Sequence, residues 1–150
     1  MKPHREYMLA ALKLAKAAES ANEVPVGAIV VSKGTIIGQG MNRVESLFDP
    51  CAHAEMEALA EARENSGGKW LPEAILYCTL EPCPMCAGAA VLYRIKRIVF
   101  GASDIRWGAC GTLFNIPQNN ALNYRIEVIG GIMEKECGEL LRNFFRKHRE

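Results

Sequence analysis

The chain has 150 residues, of which 23% are charged and 49% are hydrophobic, and its formal net charge is +1. This length suits one domain of ordinary size, with a core that needs no disulfide staples. The near-neutral charge gives no evidence for a nucleic-acid partner, and no apolar run approaches the ~20 residues that span a bilayer, so a membrane protein is not expected.

The first predicted element is a helix over residues 5–21, where apolar residues recur every three or four positions. The segment starts basic and turns apolar, as a signal peptide does, but Lys13 and Lys16 interrupt its apolar part. We therefore expect a helix of the mature protein and a cytoplasmic location. The six cysteines are then expected to be reduced.

A hairpin comes next, followed by an alternation of helices and strands. Two strand-like runs, 24–31 and 35–41, flank Ser32, Lys33 and Gly34, which is typical of a hairpin. The remaining predicted elements are a helix over 49–68, a strand over 74–80, a helix over 84–94, a strand over 97–102, a turn-rich loop over 103–118, a strand over 125–132 and a helix over 133–147.

This order of elements predicts the fold class. Strands that alternate with helices become parallel neighbours joined by right-handed crossovers, and the hairpin adds antiparallel pairing. We expect an α/β fold of three layers, in which helices cover both faces of a five-stranded mixed sheet. The whole of residues 1–150 is expected to form this single domain.

Three candidate metal ligands lie at the predicted starts of two helices. Cys83 and Cys86 open the third helix, and His53 lies near the start of the second. In α/β sheets, helices that follow strands begin at the carboxyl ends of those strands. If the two helix starts meet, they supply three protein ligands for zinc and leave a fourth position open, as in catalytic zinc sites. Helix N-termini also favour the thiolate form of cysteine.

Two carboxylates compete for an acid–base role beside such a metal. Glu55 follows His53 by two positions, and in a regular helix their side chains point roughly 200° apart. They converge only if His53 lies in the first turn or just before it, which the preceding Asp49 and Pro50 favour. Glu57, four residues after His53, is the rival by simple helix geometry.

Simpler interpretations of the same residues remain open at this point. A lone Cys-x-x-Cys in a cytosolic α/β protein is often a redox pair, which predicts no bound metal. A zinc-stabilised binding module would need a fourth ligand, for which Cys51 is the candidate. Otherwise Cys51, Cys78, Cys110 and Cys137 are expected to be small buried residues. The combination of His-Ala-Glu with a helix-opening Pro-Cys-x-x-Cys favours a catalytic zinc site.

These residues match the His-x-Glu and Pro-Cys-x-x-Cys signature of zinc nucleobase deaminases. Over nearly its whole length the chain resembles, more closely, the bacterial tRNA-specific adenosine deaminases. The resemblance implies a cytidine deaminase-like fold and hydrolysis of adenosine to inosine at the wobble position of a tRNA anticodon. It also implies a homodimer in which the partner borders each active site. The specific stretches are "EVPVGAIVV", "DPCAHAEMEAL", "LYCTLEPCPMCAGA", "RIVFGASD" and "NYRIEV".

The resemblance also implies roles for individual residues. One zinc ion per chain would be held by His53, Cys83 and Cys86, and Glu55 would carry protons between the attacking water and the base. The adenine would contact Asn42, the backbone around Ala54 and Pro82, and Asp104 in the loop after the fourth strand.

The RNA contacts are a further expectation. The family often has Lys two residues after the position of Asp104, whereas this chain has Arg106 and then Trp107, so the positive charge is kept. Trp107, Phe144 or Phe145 would stack on bases, unless they pack in the core or a dimer interface. The C-terminal basic residues would lie along the anticodon stem, unless they only form a solvated helix end; they are Arg146, Lys147 and Arg149.

Other functions fit the zinc signature. A deaminase of a free base or nucleotide, such as guanine or deoxycytidylate, has the same metal chemistry, and only the wider resemblance and the basic C-terminus favour RNA. A zinc-stabilised binding module and a redox protein are the alternatives outside the deaminases. Zinc analysis with a search for inosine after incubation with bulk tRNA is the most useful single experiment. Incubation with free nucleosides and with an anticodon stem–loop decides between the two kinds of deaminase.

Overall fold

The computed structural model describes residues 2–148, except for the side chain of Lys2. It contains five helices and five strands within that range. In chain order they are α1 (Lys2–Ser20), β1 (Gly27–Ser32), β2 (Thr35–Met41), α2 (Val44–Leu47), α3 (Ala54–Ser66), β3 (Ala74–Leu80), α4 (Pro84–Leu92), β4 (Arg97–Ala102), β5 (Glu127–Ile129) and α5 (Glu134–His148).

The strands form one mixed sheet in the order β2-β1-β3-β4-β5. β1 pairs antiparallel with both β2 and β3, whereas β3–β4 and β4–β5 are parallel pairs. The predicted hairpin and the predicted parallel neighbours are therefore confirmed. Because β1 alone runs in the opposite direction, β2, β3 and β4 all end at the same edge of the sheet.

Helices cover both faces of this sheet, which confirms the three-layer α/β prediction. Alternate strand residues point to opposite faces, so each face has its own apolar cluster. α1 and α5 cover the cluster that contains Ile29, Tyr77 and Val99. α3 and α4 cover the opposite cluster, and their buried alanines allow close packing on the strands. No helix in residues 2–148 is both long enough and apolar enough to cross a bilayer.

Glycines in β2 let α3 lie directly on the sheet. A Cβ atom at Gly40 would lie 2.2 Å from the backbone oxygen of Ala54, and one at Gly38 would lie 2.1 Å from that of Ala58. Such distances are far below van der Waals contact, so any side chain here would push the helix away. The first turn of α3 is thus held close to the end of β2.

Several boundaries differ from the sequence prediction. The last strand is confined to Glu127–Ile129, because Gly130 and Gly131 follow it and Gly131 adopts a φ of 86°. The second long helix begins at Ala54, since residues 49–53 form a turn in which the Asp49 carboxylate accepts a hydrogen bond from the Cys51 N–H at 2.9 Å. The four-residue α2 was not predicted.

Candidate active site

Two helix starts meet at the edge where β2 and β3 end. His53 is the N-cap of α3, with φ −90° and ψ 149°, and Cys83 is the N-cap of α4, with φ −76° and ψ 173°. Pro84 occupies the first turn of α4, where its missing N–H costs no helical hydrogen bond. The predicted placement of His53 at the helix start is confirmed. Neither His53 nor Cys83 caps its helix with its side chain, so both side chains are available for another role.

The two helix starts bring His53, Cys83 and Cys86 together. The Nδ1 atom of His53 lies 3.6 Å from Cys83 Sγ and 3.4 Å from Cys86 Sγ. The three donor atoms all lie within 4.8 Å of one another. One imidazole and two thiols suit zinc, and a set of three protein ligands leaves a fourth position for water or substrate. The donor set therefore fits the catalytic type of zinc site.

Among the described residues, the donor group consists of His53, Cys83 and Cys86 and does not include Cys51. It is exposed, which contradicts the prediction that it is a small buried residue. The reason is its position in the turn before α3, on the rim of the cavity described below. Cys78, Cys110 and Cys137 are buried, as predicted.

The cluster stabilises a thiolate. A hydrogen bond from Cys86 lowers the pKa of Cys83 to about 4, although burial opposes this effect. The same hydrogen bond raises the pKa of Cys86 above its usual range. A hydrogen bond with Cys83 raises the pKa of His53. A metal cation would displace the protons that remain on Cys86 and His53, because metal ligands must be deprotonated.

Glu55 and Glu57 point to different environments. Glu55 is only 4% exposed and lines the same cavity as His53 and Cys83. Burial raises the pKa of Glu55 to about 7. Glu57 instead accepts hydrogen bonds from Arg43 Nε at 2.8 Å and from the Met41 N–H at 3.2 Å. Geometry thus places Glu55, and not Glu57, next to the donor cluster.

The cavity beside the cluster has a volume of about 570 Å³ and a mostly apolar wall. Asn42, Ala54 and Asp104 line it, together with Trp107, which is 63% exposed. The Asn42 amide donates to the Val24 carbonyl at 3.2 Å, so its orientation is fixed. A concave apolar site with a few oriented polar groups is typical of small-molecule and base-binding pockets.

Other residues singled out from the sequence lie outside this wall. Pro82 is buried, and its carbonyl accepts a hydrogen bond from the Ala109 N–H at 2.9 Å. Phe144 is buried in α5, whereas Phe145 is partly exposed. Three basic positions are not brought to the cavity: Arg106, Arg146 and Lys147 are exposed, and Arg149 lies outside the described residues.

Sequence reasoning missed two buried carboxylates that hold the walls of the cavity. Glu23 is fully buried and accepts hydrogen bonds from the N–H groups of Glu45 and Ser46, at 2.9 and 2.6 Å, at the start of α2. Glu81 is also buried and binds the loop after β4. The sequence feature that could have identified them is a glutamate directly next to an apolar strand-like run, in "EVPVGAIVV" and "AILYCTLE".

The chain matches a known family over most of its length. The family model for the zinc-binding region of cytidine and deoxycytidylate deaminases matches residues 1–102, which include all three donor residues and Glu55. A curated relative from Bacillus subtilis (strain 168), named tRNA-specific adenosine deaminase, is 48% identical over 144 residues, which make up 96% of this chain and 89% of the relative.

Solved structures show the same relationship. A structure from a study of A-to-I editing by tRNA:A34 deaminases at the wobble position of transfer RNA has a TM-score of 0.86 and 38% identity, over 91% of this chain and 99% of that one. A guanine deaminase from Nitrosomonas europaea has a TM-score of 0.78 and 27% identity, over 93% of this chain and 83% of that one. The chain therefore belongs to the zinc-binding cytidine and deoxycytidylate deaminase family and, within it, to the bacterial tRNA-specific adenosine deaminases.

Proposed function

We propose that the chain hydrolyses adenosine to inosine at the wobble position of a tRNA anticodon. The observation that carries this proposal is the buried Glu55 carboxylate beside a His/Cys/Cys donor set on one cavity. The chain's similarity to tRNA-specific adenosine deaminases supports tRNA as the substrate. Residues 1–150 would act as one zinc-dependent deaminase domain.

His53, Cys83 and Cys86 would hold one zinc ion per chain. When bound, zinc would supply an activated water as the nucleophile for C6 of the adenine. Of these three residues, His53 and Cys83 line the cavity, whereas Cys86 is fully buried and does not. The cavity wall would exclude other water from this side of the base.

Glu55 would be the proton carrier. Its pKa of about 7 suits a group that accepts and releases protons near neutral pH. The carboxylate would take a proton from the attacking water and deliver it to N1 of the ring. It would then move the second proton of the water to the departing amine. The products are inosine and ammonia, so one water molecule is consumed in each turnover.

Other residues would bind and orient the RNA. The fixed amide of Asn42, the backbone around Ala54 and Pro82, and Asp104 would surround the flipped-out base. Trp107 would offer an exposed aromatic face on which a neighbouring base stacks. Basic side chains would contact phosphates from outside the cavity; they are Arg106, Arg146, Lys147 and Arg149.

The protein would act as a cytoplasmic homodimer. Several large apolar side chains near the cavity and at the end of α4 are exposed, including Leu92 at 78% and Ile105 at 82%. Exposed apolar surface of this kind is typical of interaction sites, and a partner chain would cover it. Analytical ultracentrifugation of wild-type protein and of Leu92→Asn would test the dimer.

The experiment that tests the activity compares substrates. Zinc-loaded protein is incubated with an anticodon stem–loop that carries adenosine at the wobble position, and inosine is measured by mass spectrometry. A stem–loop with guanosine at that position is the matched control. Free adenosine, guanine and deoxycytidylate are tested in parallel, because a guanine deaminase is among the solved structural relatives. Turnover of one of these small compounds without turnover of the stem–loop would show that the substrate is a small molecule and not tRNA.

A further inference from the structure

Glu81 is a buried carboxylate, 2% exposed, immediately after β3 and two positions before Cys83. Its Oε1 atom accepts a hydrogen bond from the Asp104 N–H at 3.0 Å, and also one from the Thr112 hydroxyl. Its Oε2 atom accepts from the N–H groups of Cys110 and Thr112, at 2.9 and 3.1 Å. All of these donors belong to the loop after β4, so one side chain holds two distant points of that loop.

The loop extends this connection to the cavity wall. The Asp104 side chain accepts hydrogen bonds from the N–H groups of Arg106 and Trp107, at 2.9 and 3.3 Å. A chain of hydrogen bonds therefore runs from Glu81 through Asp104 to Trp107, and the last two residues line the cavity. A second link joins the same segments, because the Pro82 carbonyl accepts from the Ala109 N–H.

The loop is shaped to receive the Glu81 carboxylate. A Cβ atom at Gly108 would lie 2.4 Å from the Asp104 carbonyl oxygen and 2.5 Å from Glu81 Oε1, so a side chain at this position would collide with both. Asp104 and Gly108 are also joined by a backbone hydrogen bond of 3.0 Å, which closes the turn around the carboxylate. The carboxylate thus fills a space that only a glycine-containing turn leaves open.

We propose that Glu81 is a positioning residue that fixes Asp104 and Trp107 against the cavity for binding of the RNA loop. This inference rests on the proposed function. Glu81 itself does not line the cavity, so it acts through the loop and not by contact with the base. Because Glu81 lies in the same short segment as Cys83 and Cys86, it fixes the position of the loop relative to the metal ligands.

The variant Glu81→Gln disturbs this arrangement at a defined atom. A Gln amide has one acceptor oxygen where the carboxylate has two. Its oxygen is best placed at the Oε2 position, which faces two N–H donors. The amide nitrogen then faces the Asp104 N–H, while the Thr112 hydroxyl can turn to accept. Glu81→Gln therefore loses the hydrogen bond from the Asp104 N–H.

The first measurement uses RNA. We expect Glu81→Gln to keep its zinc and to raise the KM for the stem–loop by about tenfold or more, the size expected for losing a hydrogen bond to a charged group. We expect kcat to change much less. Glu127→Gln, which removes the same charge at an exposed ion pair with Arg97, is the matched control and keeps the wild-type KM. A merely structural role would instead lower kcat with the active fraction and leave KM unchanged.

The second measurement does not depend on activity. The chain has two tryptophans, so Trp70→Phe leaves Trp107 as the single fluorophore. In this background we expect Glu81→Gln to give faster local motion of Trp107 in time-resolved anisotropy. Failure of wild-type protein to deaminate the stem–loop would overturn the proposed function but leave this measurement valid.

An unchanged Trp107 anisotropy together with an unchanged KM in zinc-loaded Glu81→Gln would overturn the inference. If Glu81→Gln does not fold or loses its zinc, Glu81→Asp provides the second test. It keeps the charge but shortens the side chain by one methylene group, so the carboxylate is withdrawn from the loop donors. The same rise in KM and the same loss of order at Trp107 are expected, and wild-type values for both would overturn the inference.

Discussion

The Glu57 carboxylate accepts a hydrogen bond of 2.8 Å from Nε of Arg43, the residue that precedes α2. The same carboxylate also accepts from the Met41 N–H, so it joins the end of β2 to the first turn of α3. Both carboxylate oxygens of Glu57 are thus engaged in hydrogen bonds that have a structural role. This leaves Glu55 as the carboxylate next to the donor cluster.

The first prediction separates these two carboxylates. Glu55→Gln keeps the shape of the side chain but cannot accept a proton. We expect it to retain zinc and tRNA binding and to lose roughly 10²–10⁴-fold in the rate of inosine formation, which is the usual contribution of a positioned acid–base group. Glu57→Gln should stay within a few-fold of wild type. Single-turnover kinetics check this, and the opposite order of rates would assign proton transfer to Glu57.

The second prediction concerns the metal ligands. We expect about one zinc per chain in the wild-type protein, and loss of zinc in Cys83→Ala or Cys86→Ala, because two donors hold zinc far less tightly than three. Cys110→Ala and Cys137→Ala are the controls, since both cysteines are buried and neither belongs to the donor group. Elemental analysis of the purified variants is the measurement. Full zinc occupancy in Cys83→Ala would remove Cys83 from the ligand set.

The third prediction concerns the basic end of the chain. Replacing Arg146, Lys147 and Arg149 together by Gln should weaken tRNA binding. The slope of log affinity against log salt should fall by about 1 for each phosphate contact that is lost. Binding is measured across a range of salt concentrations.

A charge-matched control for this experiment replaces three exposed basic residues elsewhere, namely Lys13, Lys16 and Arg63. The control should keep the wild-type slope. If both triple variants give that slope, the C-terminal residues only form a solvated helix end.

The fourth prediction is a pH dependence of stability. Burial acts to raise the pKa of Glu23, but hydrogen bonds from Ser46 and Glu45 outweigh it, so the pKa is lowered from 4.5. A lowered pKa in the folded state means that the charged carboxylate stabilises the protein above its unfolded pKa. This stabilisation is lost as the pH falls through the lowered value.

Urea unfolding of wild-type protein and Glu23→Gln measures this effect. At neutral pH we expect the variant to be less stable by about 1.5–3 kcal/mol, the size of hydrogen bonds to a charged group. The difference in unfolding free energy should shrink below pH 4.5, where the wild-type carboxyl takes up its proton. A difference that stays constant from pH 7 to pH 3 would show that Glu23 does not act through its charge.

Local sequence signals predicted much of this structure. The periodicity of α1, the helix-opening Pro84 and the alternation of strands with helices are local features, and they were sufficient for the fold class. The convergence of His53 with Cys83 and Cys86 followed from a general rule about where helices begin. The expectation that His53 lies in the first turn of its helix or just before it rested on the Asp49-Pro50 pair, and the structure places it just before, at the N-cap.

The remaining features depend on contacts between distant residues. Nothing local places β1 between β2 and β3, because strand order is set by pairing across the sheet. The short α2 depends on Glu23, which lies more than 20 positions earlier in the chain. The anchoring of the Asp104 loop by Glu81 spans 23 positions. Periodicity in a short window carries no information on such pairs.

The two uncapped helix starts have a consequence for protein engineering. A Ser, Thr, Asp or Asn at a helix N-cap stabilises a protein by about 0.5–2 kcal/mol, and His53 and Cys83 provide no such cap. A redesign that optimises the folding energy of the metal-free chain would favour capping residues at both positions. Each replacement would improve the calculated stability and remove one of the three proposed zinc donors. Thermostabilisation of this protein therefore has to keep both residues fixed and seek stability elsewhere.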